Sequence, residues 1–575
     1  MKHCLRLILS AAAILTAVLS LHAQERTLHI VTTGDVHGSW FDKPYVEGQA
    51  RRTSLMSVKH YVDSLRAAAG PENLLLIDAG DCLQGDNAAY YFNYVRTDVP
   101  HLFPRIVEYM GYDAVVVGNH DIETGHAVYD RVASELARAG IPWLGGNALR
   151  TADGKPYFPV WKVFDKAGMR VAVLGFTNPN MKGWLSEPVW RGMDFVSLIP
   201  FVQECVDELR AKEKPDAVVV AVHSGTGDGS GEVLENQGLD LLNSLSGVDV
   251  IVCAHDHRPF AAERDGCVLL NGGARAGNVG HAVISLGTSK SVRGEIVRMD
   301  RDRVDSRMGE EFEEEFEEEF EAVRAFTVRK VGHISMELRT RDAYRGMSDY
   351  INLVHTVQIS VPEAQISFAA PLTFDGTVKA GDVIYNDMFT IYPYENQLFV
   401  LRLRGSEIRK CLEYSYDSWI QTPGRHVLRM TDSPDARTGA RRWSFTARPY
   451  NFDSAAGLVY TVDVTRPFGE RVKISSLADG TAFDEDGWYN VAMTSYRANG
   501  GGNILFKGGG LSKEEADSRV VARYPEIRDM VYGFISAHKE ITPALVGDPS
   551  VIGEWHFVPE KKVSRLMDAD MALIF

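Results

Sequence analysis

Between residue 27 and about residue 300, short apolar runs alternate with stretches of helical periodicity. Six runs read as buried strands: LHIVTTGD, NLLLIDAGD, YDAVVVGNHD, RVAVLGFTN, DAVVVAVHSG and VDVIVCAHDH. They are rich in β-branched residues and end in turn formers, whereas residues 51–68, 126–139 and 198–213 between them carry a helical pattern. Strands alternating with helices predict an α/β domain over residues 25–305. Residues 310–321 read EEFEEEFEEEFE. Phe312, Phe316 and Phe320 recur every fourth position, so they share one helix face. The glutamates at i,i+4 repel, so such a helix needs its Phe face docked. It is expected as a connector over residues 306–330. Residues 331–575 mix strand-like runs (LFVLRLRG, LVYTVDVT, YNVAMTSY) with helices and Gly-rich turns, which predicts an α+β domain.

At 575 residues and 63.8 kDa the chain exceeds what one core usually holds, in keeping with two domains. Lys2 and Arg6 precede the apolar run LILSAAAILTAVLSLHA, the pattern of an export signal. Residues 1–23 are read as that signal, with cleavage after Ala23, which predicts a periplasmic or secreted protein. No second long apolar stretch follows, so no stable membrane insertion is expected after cleavage. Losing Lys2 and Arg6 takes the net charge from −16 to −18. That balance argues against a nucleic-acid duplex as the main partner. It does not exclude a small phosphorylated ligand, because a bound metal reverses the local field. The six cysteines are scattered and form no CxxC, so neither a disulfide framework nor a zinc ribbon is expected. Cys253 and Cys267 are the pair considered for a bridge. The oligomeric state is left open.

The chemistry lies where the strand-like runs end. The first run ends in Asp35 and His37, the second in Asp81, the third in Asn119, His120 and Asp121, the fifth in His223, and the sixth in His255 and His257. In open α/β sheets, ligands collect outside the carboxyl ends of the strands. Each residue alone has an ordinary explanation: an Asp caps a turn, a Gly-Asn pair makes one, and a lone His is usually a satisfied surface or core residue. The ordered set DxH, GD, GNHD, H and HxH does not. Carboxylate, amide and imidazole without thiolate suit a pair of divalent ions such as Mn, Zn or Co. With Asp81 shared, one ion takes Asp35, His37, Asp81 and His257, and the other takes Asp81, Asn119, His223 and His255. His120 is left over as the candidate acid, or as a positive charge on the phosphoryl oxygens.

These motifs resemble the calcineurin-like metallophosphoesterases, and the two-domain length and export signal resemble the 5′-nucleotidase branch of that family. The resemblance spans essentially the whole mature chain. It implies a four-layer αββα phosphoesterase domain followed by a 5′-nucleotidase-type α+β domain, and the ligand set above matches the family motifs. Where 5′-type members place an Asp three residues after the catalytic His, this chain has Glu123, the candidate partner of His120. GFTNPNMKGW (175–184), SFAAPL (367–372) and TSYRANGGGN (494–503) are more similar to periplasmic 2′,3′-cyclic-nucleotide 2′-phosphodiesterase/3′-nucleotidases. By the same resemblance, Tyr394 and Tyr496 stack on the nucleotide base and Asn396 bonds it. Base–aromatic stacking tolerates any base.

The expected function is therefore a secreted two-metal phosphoesterase opening 2′,3′-cyclic nucleotides to 3′-nucleotides and then releasing phosphate. A 5′-nucleotidase or nucleotide-sugar pyrophosphatase is the alternative within the fold. A non-catalytic nucleotide-binding protein is the alternative outside enzymes.

Overall fold

In the computed structural model, residues 25–50, 52–299, 306–394, 396–434 and 440–575 are described. The expected export signal lies outside them. The chain forms two compact units. One is the chain up to Lys182 with Glu187–Val323, and the other is Gly183–Ser186 with Arg324–Phe575.

The first unit is built on two six-stranded sheets. In one, Arg26–Thr33, Leu74–Asp78, Ala114–Val116 and Trp143–Leu144 run parallel, and the antiparallel strands Asn278–Leu286 and Lys290–Arg298 extend the edge beside Arg26–Thr33. In the other, Met169–Phe176, Ala217–Val222, Val250–Cys253 and Cys267–Asn271 are parallel, with Trp161–Lys166 and Phe260–Arg264 as antiparallel edges. The sheets face each other across an apolar core in which Ile30, Leu75, Ile77 and Val116 meet Val171, Val173, Val219 and Val252. Helices Leu198–Glu213 and Gly238–Ser244 cover the outer face of the second sheet through Val202, Val206, Leu209 and Leu241. Helix Leu55–Ala69 packs on the first sheet. The layering is αββα. The uninterrupted Val/Ile/Leu runs are what strands buried on both faces require.

The bridge considered between Cys253 and Cys267 is not formed, and both thiols are free. Register explains it: Cys253 lies opposite Asn271 on the parallel neighbour. Cys267 therefore starts that strand roughly 13 Å along it, at about 3.3 Å per residue. The acidic segment is two helices, Ser306–Glu315 and Glu317–Thr327, rather than one connector. Phe312, Phe316 and Phe320 are buried against Phe41, Tyr45 and Tyr109, and Arg105 pairs with Glu319. The aromatic stripe thus belongs to the first unit, and the division between units falls inside the second helix.

The second unit centres on a mixed five-stranded sheet ordered Ser454–Ala456, Ile366–Ala369, Trp488–Thr494, Gln397–Arg404 and Val520–Glu526. Helix Gly405–Trp419 contributes Ile408, Leu412, Tyr416 and Trp419 to its core, together with Tyr460 and Trp555.

Phe312 has ring contacts to Phe41 at 6.1 Å, Tyr109 at 5.8 Å and Phe316 at 5.0 Å between centroids. Phe312→Ala is expected to cost about 3–5 kcal/mol through lost burial and the cavity left behind. Calorimetry should show the unfolding transition of the first unit lowered. An unchanged transition would mean the helix is not docked in solution.

Candidate metal centre

The predicted ligands of both sheets meet at the carboxyl ends of their strands. Asp35 and His37 follow Arg26–Thr33, Asp81 follows Leu74–Asp78, and Asn119 opens the short helix Asn119–Glu123 after Ala114–Val116. The second sheet supplies His223 after Ala217–Val222, and His255 and His257 after Val250–Cys253. Potential ligand atoms gather in two clusters, Asp35–His37–His257 and Asp81–His223–His255. Asn119 Oδ1 joins the second, 3.0 Å from His223 Nε2 and 2.9 Å from His255 Nδ1.

Backbone conformation marks the same place. Among the described residues, eleven non-glycine residues have positive φ, and Asp35, His37, Asp81, His255 and His257 are five of them. Such conformations cost on the order of 1–3 kcal/mol each and persist only where neighbours over-determine them. Here they do. Asp35 N–H donates to Gly80 C=O at 2.8 Å, His37 N–H to Asp81 C=O at 2.9 Å and Gly38 N–H to Cys82 C=O at 3.1 Å, zipping the first two ligand loops together. His255 N–H donates to Asp35 Oδ2 at 2.7 Å, tying the second sheet's ligand loop to the first.

The donor set asks for cations. His223 Nδ1 lies 2.8 Å from Ala79 C=O and His37 Nδ1 lies 3.1 Å from Gln84 C=O. A carbonyl only accepts, so each Nδ1 carries the proton and each Nε2 points inward. There, His223 Nε2 meets Asp81 Oδ2 at 3.0 Å and the Asn119 oxygen, while His37 Nε2 meets His257 Nε2 at 2.8 Å. Buried Asp35 Oδ1 has no hydrogen-bond partner, and His257 Nε2 is 3.8 Å from it. Lone pairs converge without enough protons to separate them, and divalent ions resolve that.

Electrostatics agree. Burial holds the His37 ring well below the ordinary imidazole range, against the pull of Asp81, and burial with the charge of His223 takes His255 down to about 3. Neutral imidazole is the ligating form. For His223, burial is outweighed by Asp81 and Asp35, which push it up to about 9. In the polypeptide alone it holds a proton against Asp81, which a metal ion would displace.

His120 stands apart from the two clusters. Its Nδ1 is 2.5 Å from Glu123 Oε2, and its ring lies edge-on to His37 with centroids 5.4 Å apart. The longer Glu arm reaches the imidazole because both residues sit one turn apart on the same short helix.

Sequence reasoning missed the role of Asp121, which entered only as one more polar group. Its carboxylate turns away from the ligands and accepts the backbone N–H groups of Asp81, Cys82, Leu83 and Gly118 at 2.8–3.0 Å. It thereby couples the Asp81 loop to the Asn119 helix. Gly118 is required by close approach, since a Cβ there would lie 2.1 Å from Asp81 Oδ1.

In the second unit, Leu398 pairs with Thr494 across adjacent antiparallel strands. Tyr394 and Asn396, just before one strand, and Tyr496, just after the other, therefore lie at the same sheet edge. Gln397 N–H donating to Ser495 Oγ at 3.2 Å links the two segments. The Tyr496 ring rests on Gly501, where a Cβ would come within 2.4 Å. Tyr450, absent from the sequence reading, meets Tyr394 edge-on at 6.3 Å. It comes from the distant segment Pro449–Asn451, so no local spacing signals it. Arg497 holds that segment through Tyr450 C=O, Asn451 Oδ1 and a bidentate pair with buried Asp453.

Residues 28–259 match the calcineurin-like phosphoesterase family, and residues 330–508 match the 5′-nucleotidase C-terminal domain. The chain is 22% identical, over 92% of its length and 87% of the relative's, to a Haemophilus influenzae protein named 2′,3′-cyclic-nucleotide 2′-phosphodiesterase/3′-nucleotidase. It is also 22% identical, over 94% of its length, to the trifunctional nucleotide phosphoesterase YfkN of Bacillus subtilis, of which it spans 40%. Among solved structures, a putative 5′-nucleotidase from Staphylococcus aureus shares the fold, with a TM-score of 0.75, 20% identity and coverage of 92% of this chain and 99% of that one. Among the described residues, no helix is long and apolar enough to cross a membrane.

Asp121→Ala would leave four buried N–H groups without their acceptor. A loss of at least about 3 kcal/mol is expected in urea unfolding, with reduced metal content, and Asp121→Asn should be milder. An Ala variant of wild-type stability and metal content would contradict this coupling role.

Proposed function

The chain joins a calcineurin-like phosphoesterase domain to a 5′-nucleotidase C-terminal domain, and on that premise we propose that it is an exported two-metal phosphoesterase of nucleotides. The observation that carries this reading is the pair of ligand clusters, one beside Asp35 and one beside Asp81. Asp35, His37, Asp81 and His257 would hold one divalent ion, and Asp81, Asn119, His223 and His255 the other. When bound, two such ions supply Lewis acidity to the phosphoryl group and to water.

The remaining chemistry falls to protein groups. Glu123 holds the Nδ1 proton of His120 and so orients the ring. The imidazolium presents its Nε2–H to the leaving oxygen as acid, or to the phosphoryl oxygens as positive charge. Asp121 fixes the loop that carries Asp81. Tyr394 and Tyr496 stack on the base, with Asn396 bonding its edge, and Tyr450 extends the aromatic surface beside Tyr394.

For the substrate, we favour 2′,3′-cyclic nucleotides and 3′-nucleotides. Support comes from relatives of that name aligned along nearly the whole chain and from the apolar SFAAPL segment. Cleaving the cyclic ester at the 2′ oxygen leaves a 3′-monophosphate, which the same site can hydrolyse. The apolar run of residues 1–23 supports export to the periplasm or beyond.

Two outcomes are expected. Chelation should abolish hydrolysis, and Mn, Co or Zn should restore it, whereas full activity in a metal-free preparation would sink the reading. His120→Asn should lower kcat by roughly 10²–10⁴-fold with metal content unchanged.

A substrate panel tests the preference: kcat/KM should be higher for 2′,3′-cyclic and 3′-nucleotides than for 5′-AMP. Tyr394→Ala should raise KM for nucleotides while sparing bis-p-nitrophenyl phosphate. A clear preference for 5′-AMP would replace this reading with a 5′-nucleotidase.

A further inference from the structure

The segment between strands Cys267–Asn271 and Asn278–Leu286 crosses from one sheet of the first unit to the other. It leaves the second sheet at the edge where the ligands collect, because Asn271 lies opposite Cys253, two residues before His255. Asn271 is bound into that edge, donating to Asp256 Oδ1 at 2.8 Å and accepting from Gly273 N–H at 2.9 Å. Gly277 N–H then donates to Ala274 C=O at 3.1 Å, closing a turn whose two central residues are Arg275 and Ala276. Their φ values are +54° and +52°.

Positive φ at both central positions is the pattern of a type I′ turn, which selects Asn-Gly or Gly-Gly because a Cβ disfavours it. Arg-Ala is a poor sequence for it. The turn is nonetheless imposed from both sides, with Arg275 N–H donating to Asp35 C=O at 2.8 Å and Arg275 C=O accepting from Thr53 Oγ at 3.0 Å. The backbone of Arg275 is thus tied to a ligand residue in the same unfavourable conformation as the ligands themselves. Its side chain is exposed. Ala276 is buried, whereas Arg275 is exposed in a conformation its residue type disfavours beside a ligand loop, which points to a side chain placed for its chemistry.

We propose that Arg275 is a substrate-binding residue of the phosphoesterase unit, presenting its guanidinium to the anionic oxygens of the phosphoryl group at the ligand clusters. This rests on the phosphoesterase reading above. Guanidinium suits the task because its planar fork pairs two phosphoryl oxygens at once. A monoester dianion offers more charge to it than a diester monoanion, so Arg275 favours the second, monoester stage of a two-stage hydrolysis over the first.

The test uses Arg275→Gly, Arg275→Lys and wild type, each loaded with Mn. Glycine relieves the turn, so Arg275→Gly should unfold at the same or a higher temperature than wild type, with equal metal content. Its kcat/KM should fall about tenfold or more for p-nitrophenyl phosphate and 3′-AMP, but by under threefold for bis-p-nitrophenyl phosphate. Calorimetric titration of inorganic phosphate should show binding weakened by a similar factor, with Arg275→Lys between the two. Equal losses on monoester and diester, or unchanged phosphate binding in a well-folded Arg275→Gly, would overturn the proposal while leaving the phosphoesterase reading intact. Absence of any phosphoester hydrolysis by wild type would instead remove the reading on which it rests.

Discussion

Seven polar side chains, most of them buried, aim lone pairs at one another at the carboxyl edge of two facing sheets, and this mutual demand for positive charge organises the first unit. Ala79 C=O and Gln84 C=O fix the Nδ1 protons of His223 and His37, which turns both Nε2 atoms inward. Asp81 and Asp35 bring negative charge into surroundings that solvate it poorly. An apolar protein interior tolerates such a group only when it is neutralised or ligated. Divalent ions meet the demand with the ligand types present.

The cost of the arrangement is carried by its frame. Five candidate ligands occupy positive-φ conformations that a free chain would avoid. The backbone bonds between the 35–38 and 80–82 segments, the Asp121 carboxylate and the His255–Asp35 link hold them there. Continuous cores on both faces of the second sheet supply the rigidity against which this strain is held. Arg275 shares the conformation and the anchoring without being a ligand, which separates it from the ordinary surface arginines of an acidic protein.

The second unit solves a different problem. Its aromatic edge is assembled from three distant segments, around Tyr394, Tyr450 and Tyr496, and buried Arg497 clamps two of them through Asp453, Asn451 and Tyr450 C=O. A buried ion pair that also binds a backbone carbonyl and an amide fixes these segments relative to one another. The Gly500–Gly502 run serves the same end, letting Phe506, Tyr496 and Arg497 press onto the backbone where a Cβ would collide.

By itself the sequence determined the α/β alternation, the placement of polar groups at strand ends and the helical Phe stripe, because these follow from periodicity and from the chemistry of residues close in the chain. His120 and Glu123 were legible for the same reason, as neighbours one helical turn apart. What needed tertiary structure was everything set by pairing across the fold. Register kept Cys253 and Cys267 apart, and docking of the Phe stripe on Phe41 and Tyr109 placed most of the acidic segment in the first unit. Backbone partners decided that Asp121 turns from the ligands to the Asp81 loop. Tyr450 reached Tyr394 only through chain crossings that no spacing records. Arg275 lay in an unremarked Gly-rich stretch, because its meaning resides in a turn that its own residue type disfavours and that Asp35 and Thr53 impose. Local preference is written along the chain, whereas strain and its compensation exist only between segments that folding brings together.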